Sequence, residues 1–188
     1  VPAFRIELSG ARLVFCIDVN FGDLITPAPV ILAYPSLLTE PFDIVGYPLP
    51  AVLAEKLVTM LQLADANTRD RDIGDVVLIS RTHRIDAAEL RAACQAVAGH
   101  RGVALARLAT VLGDLAARRQ LPWTRWLART GLASLPADVS AALDEVIGLA
   151  ESVLTGEVTA GMWQPQHRTW AHRSPSAAKG SKGTDGGR

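Results

Sequence analysis

The sequence predicts an α+β protein, with a small sheet first and a helical bundle after it. Three observations carry that reading. Strand-length apolar runs occupy the first twenty residues, six prolines punctuate residues 20–50, and helix-period apolar stripes fill most of the chain from Ala51 to about residue 153. The chain has 188 residues and is 49% hydrophobic, enough to bury a core and incompatible with a wholly disordered chain.

Residues 4–8 alternate apolar and polar, the period of a half-buried strand, and Ser9-Gly10-Ala11 supplies a turn. Residues 12–19 are nearly continuously apolar, so the two segments read as an antiparallel hairpin. Short strands are expected around Val30–Ala33 and Phe42–Val45, between Pro27, Pro29, Pro35, Pro41, Pro48 and Pro50. Pro50 suits a first helical turn and opens a helix over 51–64. A second helix is expected over 72–81. A third starts at Ile85-Asp86, where Asp86 and Glu89 have capping-box spacing with Asp in the Ser/Thr place, and ends near Gly99 or Gly102. Residues 103–119, 122–131 and 137–153 are expected to form three more helices, the last with Pro136 in its first turn. The tail from Ser174 has four glycines in fifteen residues and no apolar side chain larger than Ala, a composition of disorder.

Formal charge is zero, yet it is unevenly spread. Residues 1–80 carry ten acids and five bases, and residues 81–188 carry nine acids and fourteen bases. An acidic front and a basic rear suggest a carboxylate site beside an anion-binding surface. Two cysteines, Cys16 and Cys94, exclude a disulfide scaffold and read as reduced thiols of a cytoplasmic protein. No segment approaches the roughly 20 apolar residues of a membrane span, and no signal peptide is visible.

Four groups of residues could carry chemistry. Asp18 sits in the apolar strand Leu13–Val19, where a carboxylate is paired or holds a metal, or else it stands at the strand end and has already reached solvent. Lys56 falls within or beside the helical stripe of Val52, Leu53, Leu57, Met60 and Leu61. There it needs a carboxylate or phosphate, or it snorkels over apolar surface. Asp72 and Asp75 are three apart and share a helix face, beside Arg69 and Arg71. Acids also favour helix first turns for the dipole alone. Residues 101–129 hold Arg101, Arg107, Arg118, Arg119, Arg125 and Arg129 against one acid, with Trp123 and Trp126 interleaved. That pattern suits RNA phosphates and unstacked bases, or a solvated helical face over core tryptophans. Near the C-terminus Trp163 and Trp170 are expected to dock the arm onto the domain, and the histidines are too scattered for a metal site.

The chain runs IDVNFGDLITP, then YPSLL, then GYPLPAVLAEKLVTML, then NTRDRDIGDVVLI, and closes on a Trp-Gln-Pro segment. This order resembles the AbiEii/AbiGii-type nucleotidyltransferase toxins, the MenT toxins among them, over roughly residues 4–170, with the AEKL and RDxxD pair as its specific part. The resemblance implies a partial polymerase-beta-type sheet followed by helices. It divides the chain into a core over 1–82, incomplete at its N-terminal side, a helical region over 83–173 and the tail 174–188. It implies Mg²⁺-dependent transfer of nucleotides from an NTP to RNA, the tRNA 3′ end in MenT-like members. Such transfer blocks translation, and a cognate antitoxin restrains it. Asp18 then matches a later-strand carboxylate that acts beside metal on the attacking hydroxyl. Lys56 matches the lysine that holds NTP phosphates, and Asp72 the final aspartate, supported by Asp75 and Arg69. The family's earlier Gly-Ser turn and Asp-x-Asp pair has no match in residues 1–17. The alternative is therefore a catalytically inactive relative that binds RNA or antitoxin.

Overall fold

The computed structural model describes residues 3–8, 10–16 and 25–171. Their architecture is α+β, as the sequence predicts. Strands β1 (Ala3–Leu8) and β2 (Ala11–Cys16) pair antiparallel, with Leu8 opposite Ala11 across the turn. Strands β3 (Val30–Tyr34) and β4 (Phe42–Gly46) form a second antiparallel pair, with Tyr34 opposite Phe42 and their rings 5.3 Å apart. The expected strand residues Ile17–Val19 and the tail from Ser174 lie outside the described residues.

Helix α1 (Leu49–Leu63) starts two residues earlier than expected, with Pro50 in its first turn, where a missing N–H costs nothing. After a 3₁₀ turn at Ala64–Ala66 comes α2 (Asp70–Thr82). Helix α3 (Ala87–Arg101) is capped by Asp86, whose Oδ1 accepts from the Ala88 and Glu89 amides at 2.9 and 3.1 Å.

The next stretch corrects the expectation of helices over 103–119 and 122–131. Residues 103–107 are non-helical, α4 spans only Leu108–Leu112, and Gly113 turns the chain at φ +46°. Helix α5 then runs unbroken from Leu115 to Thr130, with Pro122 inside it. An interior proline costs roughly 3 kcal/mol. It is tolerated because α5 buries Leu115, Trp123 and Trp126 on the core side of the proline, with the two indoles 5.1 Å apart. Helix α6 (Val139–Thr155) starts two residues later than expected. Asp138 caps it through the Ser140 amide, and the Gln120 side chain accepts from the Val139 amide. Pro136 precedes that cap and gives its carbonyl to the Trp123 indole at 2.9 Å.

The core is helical. Helix α6 lies at its centre, against α2, α5, α4 and α3, and α1 packs on α3. Its apolar residues from Val139 to Leu154 are nearly all buried, so it is surrounded on most sides. The buried cluster extends from Leu53 of α1 to Trp163. A short hairpin, β5 (Met162–Gln164) and β6 (Thr169–Ala171), docks the C-terminal arm as expected of its tryptophans. Trp163 donates from its ring to the Ser80 carbonyl at 2.7 Å, and Trp170 to the Leu149 carbonyl at 3.0 Å. Glu145 of α6 accepts two bonds from Arg81 of α2 at 2.8 and 2.6 Å and pairs with Arg168 of the hairpin turn at 3.1 Å. The hydrogen bond from Arg81 holds the Glu145 carboxyl below its ordinary value, against the opposing effect of its partial burial.

Candidate active site

Two helices bring the sequence motifs together. Helix α1 presents Lys56 and α2 presents Asp72 and Asp75. The Lys56 Nζ donates to Asp72 Oδ1 at 2.9 Å and to Asp75 Oδ2 at 2.7 Å. Spacing explains why both acids reach it: three residues apart on a helix, they stand one turn above each other on one face. Lys56 and Asp72 are 17% and 14% exposed, so the pair is substantially desolvated. Removing one partner from such a pair costs about 3–5 kcal/mol, because the other charge is left uncompensated. The Lys56 side chain is thus neither snorkelling nor unpaired.

Two further cations flank these acids. Arg69 reaches Asp72 Oδ2 at 3.4 Å, and Arg71 reaches Asp75 Oδ2 at 3.7 Å. Both arginines are mostly exposed, and pairs of that kind contribute about 0–1 kcal/mol. Their value lies in charge. An open cavity of about 470 Å³ is lined by Lys56, Arg69, Arg71 and Arg129 among cations, and by Asp70 and Asp72 among acids. Thr68 and Trp126 complete its wall. Cations exceed carboxylates there, so the cavity favours an anion. A second cavity, of about 330 Å³, shares Lys56, Arg69 and Asp72 and adds Tyr47, Val52, Glu55, Thr59 and Arg101.

The structure divides the six arginines expected to meet RNA. Arg101 reaches back to Thr59 Oγ1 at 2.9 Å and pairs with Glu55. Arg107 bridges Glu151 and Glu157 at 3.1 and 2.6 Å. Arg118 pairs with Asp65 at 3.0 Å, and Arg119 with Asp70 at 2.6 Å. Arg125 and Arg129 are exposed and make no ion pair among the described residues. The interleaved tryptophans are core: Trp123 is fully buried and Trp126 nearly so. Trp126 nonetheless shows an edge to the first cavity.

Asp18 lies outside the described residues. Among the described residues no group of three His, Cys, Asp or Glu side chains could hold a metal ion. Asp72 and Asp75 direct oxygens at Lys56, Arg69 and Arg71. Cys94 is fully buried in α3, and that burial pushes its thiol up to about 12, so it is inert at neutral pH. Among the described residues no helix is long and apolar enough to cross a membrane.

Of the residues singled out in the sequence, Lys56, Asp72, Asp75 and Arg69 come together here, joined by Asp70, which is buried at the start of α2. Asp70 opens the same run, but nothing local separates a buried acid from its exposed neighbours.

A lysine held between two aspartates thus borders a cavity in which cations outnumber acids. The family model described as nucleotidyl transferase AbiEii toxin, Type IV toxin–antitoxin system, matches residues 2–145. The chain belongs to this family. No curated protein and no solved structure matches it.

Proposed function

We propose that this toxin-family nucleotidyltransferase moves nucleotides from an NTP, with its accompanying Mg²⁺, onto RNA, with the tRNA 3′ end as acceptor. In this reading it acts in the cytoplasm as a MenT-like toxin, blocks translation and is restrained by a cognate antitoxin. The carrying observation is the contact of Lys56 with Asp72 and Asp75 at the edge of a cavity whose lining holds more cations than acids.

The chemistry follows from those groups. A polyphosphate entering the cavity meets Lys56, Arg69, Arg71 and Arg129, which bind and orient it. The two aspartates fix the position of the Lys56 ammonium beside the cavity. Arg125 and Arg129 are open to an RNA backbone, whereas Arg101, Arg107, Arg118 and Arg119 are drawn into ion pairs with acids of the same chain. Asp18 enters this reading as the carboxylate beside the attacking hydroxyl. The alternative reading is binding of RNA or antitoxin without turnover.

The test incubates purified chain with Mg²⁺, each labelled NTP in turn and total tRNA. Label on tRNA is expected, and Lys56→Ala or Asp72→Ala should lower it at least 100-fold, in line with loss of electrostatic stabilisation worth roughly 2.7–4 kcal/mol. RNA retention without label would favour the binding module, and equal activity in both variants would overturn the roles given to Lys56 and Asp72.

A further inference from the structure

The segment that carries the site motif is gripped from behind by α5. Residues 64–69 connect α1 to α2, and two consecutive arginines hold this connection and the first residue of α2. Arg118 donates to the Asp65 carbonyl at 3.0 Å. Arg119 makes a two-point contact with Asp70, Nε to Oδ1 at 3.2 Å and Nη2 to Oδ2 at 2.6 Å, and gives a third bond to the Thr68 carbonyl at 3.2 Å. The two arginines differ in depth. Arg119 and Asp70 are 16% and 10% exposed, against 51% and 63% for Arg118 and Asp65. A forked guanidinium–carboxylate contact fixes orientation as well as distance.

Helix geometry gives this contact a purpose. Asp70 and Gly74 are four residues apart in α2 and face α5, where Gly74 lies under the Trp126 ring. Asp72 and Asp75 look the other way, to Lys56. Turning α2 by one residue, about 100°, would carry both acids off the lysine. The helix has no side-chain cap of its own to resist that rotation, since Arg69 occupies the cap position without such a bond.

We infer that Asp70 and Arg119 are positioning residues, a strut from α5 that sets the rotation of α2 so that Asp72 and Asp75 meet Lys56. The geometry stands by itself; only its consequence for transfer rests on the nucleotidyltransferase reading. The strut takes Arg119 out of the RNA-facing set and gives it a role inside the fold.

The composition offers a direct test. Lys56 is the only lysine among the described residues, and Lys179 and Lys182 in the tail serve as internal standards. The full chain is treated with a limiting amine-reactive probe below its melting temperature, and labelling is quantified by peptide mapping. In the native protein the two carboxylates shield Lys56. Arg119→Ala and the milder Asp70→Asn are each expected to raise Lys56 labelling at least threefold relative to Lys179 and Lys182. The exchange Asp70→Arg with Arg119→Asp should bring it back toward the native ratio. Val153→Ala, a core truncation in α6 away from the site, controls for lost stability and should leave the ratio unchanged, as should Arg118→Ala. Native labelling in folded Arg119→Ala or Asp70→Asn overturns the inference. So does an equal rise in Val153→Ala, or unfolding of both strut variants, since the role would then be stability alone. Protection of Lys56 by added NTP is measured separately in the native chain. Its absence would count against the nucleotide reading and leave the strut intact.

Discussion

The two halves of α5 hold the same residue type to opposite ends. In the first half, Arg118 and Arg119 are spent on the chain itself, tying down the α1–α2 connection. In the second half, Arg125 and Arg129 stand exposed, and Arg129 lines the cavity with Lys56. One helix thus builds the site with its first basic pair and offers charge to a ligand with its second. Clustered charge on a helix is no measure of ligand-binding capacity until the acids of the same chain have been subtracted.

Three measurements would break or sharpen that contrast. The largest effect is expected for Arg119→Ala, which leaves Asp70 buried without its counter-charge. Urea denaturation should show a loss of about 3–5 kcal/mol, whereas Arg129→Ala should stay within about 0.5 kcal/mol. Equal losses at the two positions would dissolve the distinction. Next comes Gly74→Ala. A Cβ there would sit 2.5 Å from the Trp126 ring, and that ring is wedged in the core, so the helices must part. The expected cost is about 1–3 kcal/mol, despite the gain in helix propensity. A neutral or stabilising outcome would mean that Trp126 has room to give. The smallest effect concerns affinity. Arg125→Ala and Arg129→Ala should each lower the slope of log K against log salt for RNA binding by roughly 0.7–0.9, and Arg107→Ala should not change it. A slope change for Arg107 alone would reverse the assignment.

The sequence made some of this legible and hid the rest for physical reasons. Lys56 stands out because a charge beside an apolar stripe demands a partner, and Asp72 and Asp75 are the paired acids one helix later. The α3 start is legible because Asp86 caps it through its own neighbours. Such signals are local. The Arg119–Asp70 contact spans 49 residues and the Arg107–Glu151 contact 44, and nothing in the run of arginines encodes which acid will meet which base. Helix α5 was obscured for the converse reason. Pro122 is a strong local breaker, and it is overridden by burial of Trp123 and Trp126 against distant helices. The break lies instead at Gly113, in a stretch whose apolar spacing continues a helical pattern. Of the residues proposed as catalytic, Asp18 lies outside the described residues, so the sequence alone speaks for it.

The tryptophans have a practical consequence. The chain has four, and they stand as two close pairs, Trp123 with Trp126 and Trp163 with Trp170, at 5.1 and 5.3 Å between rings. Indoles at such separations are near enough to couple electronically, so the ultraviolet circular dichroism of the folded chain should carry a signature that vanishes once either pair separates. Trp126 alone among the four borders the cavity that holds Lys56. Its emission is therefore a natural gauge of what enters there, and the helical half of the molecule carries its own optical titrant without any dye attached.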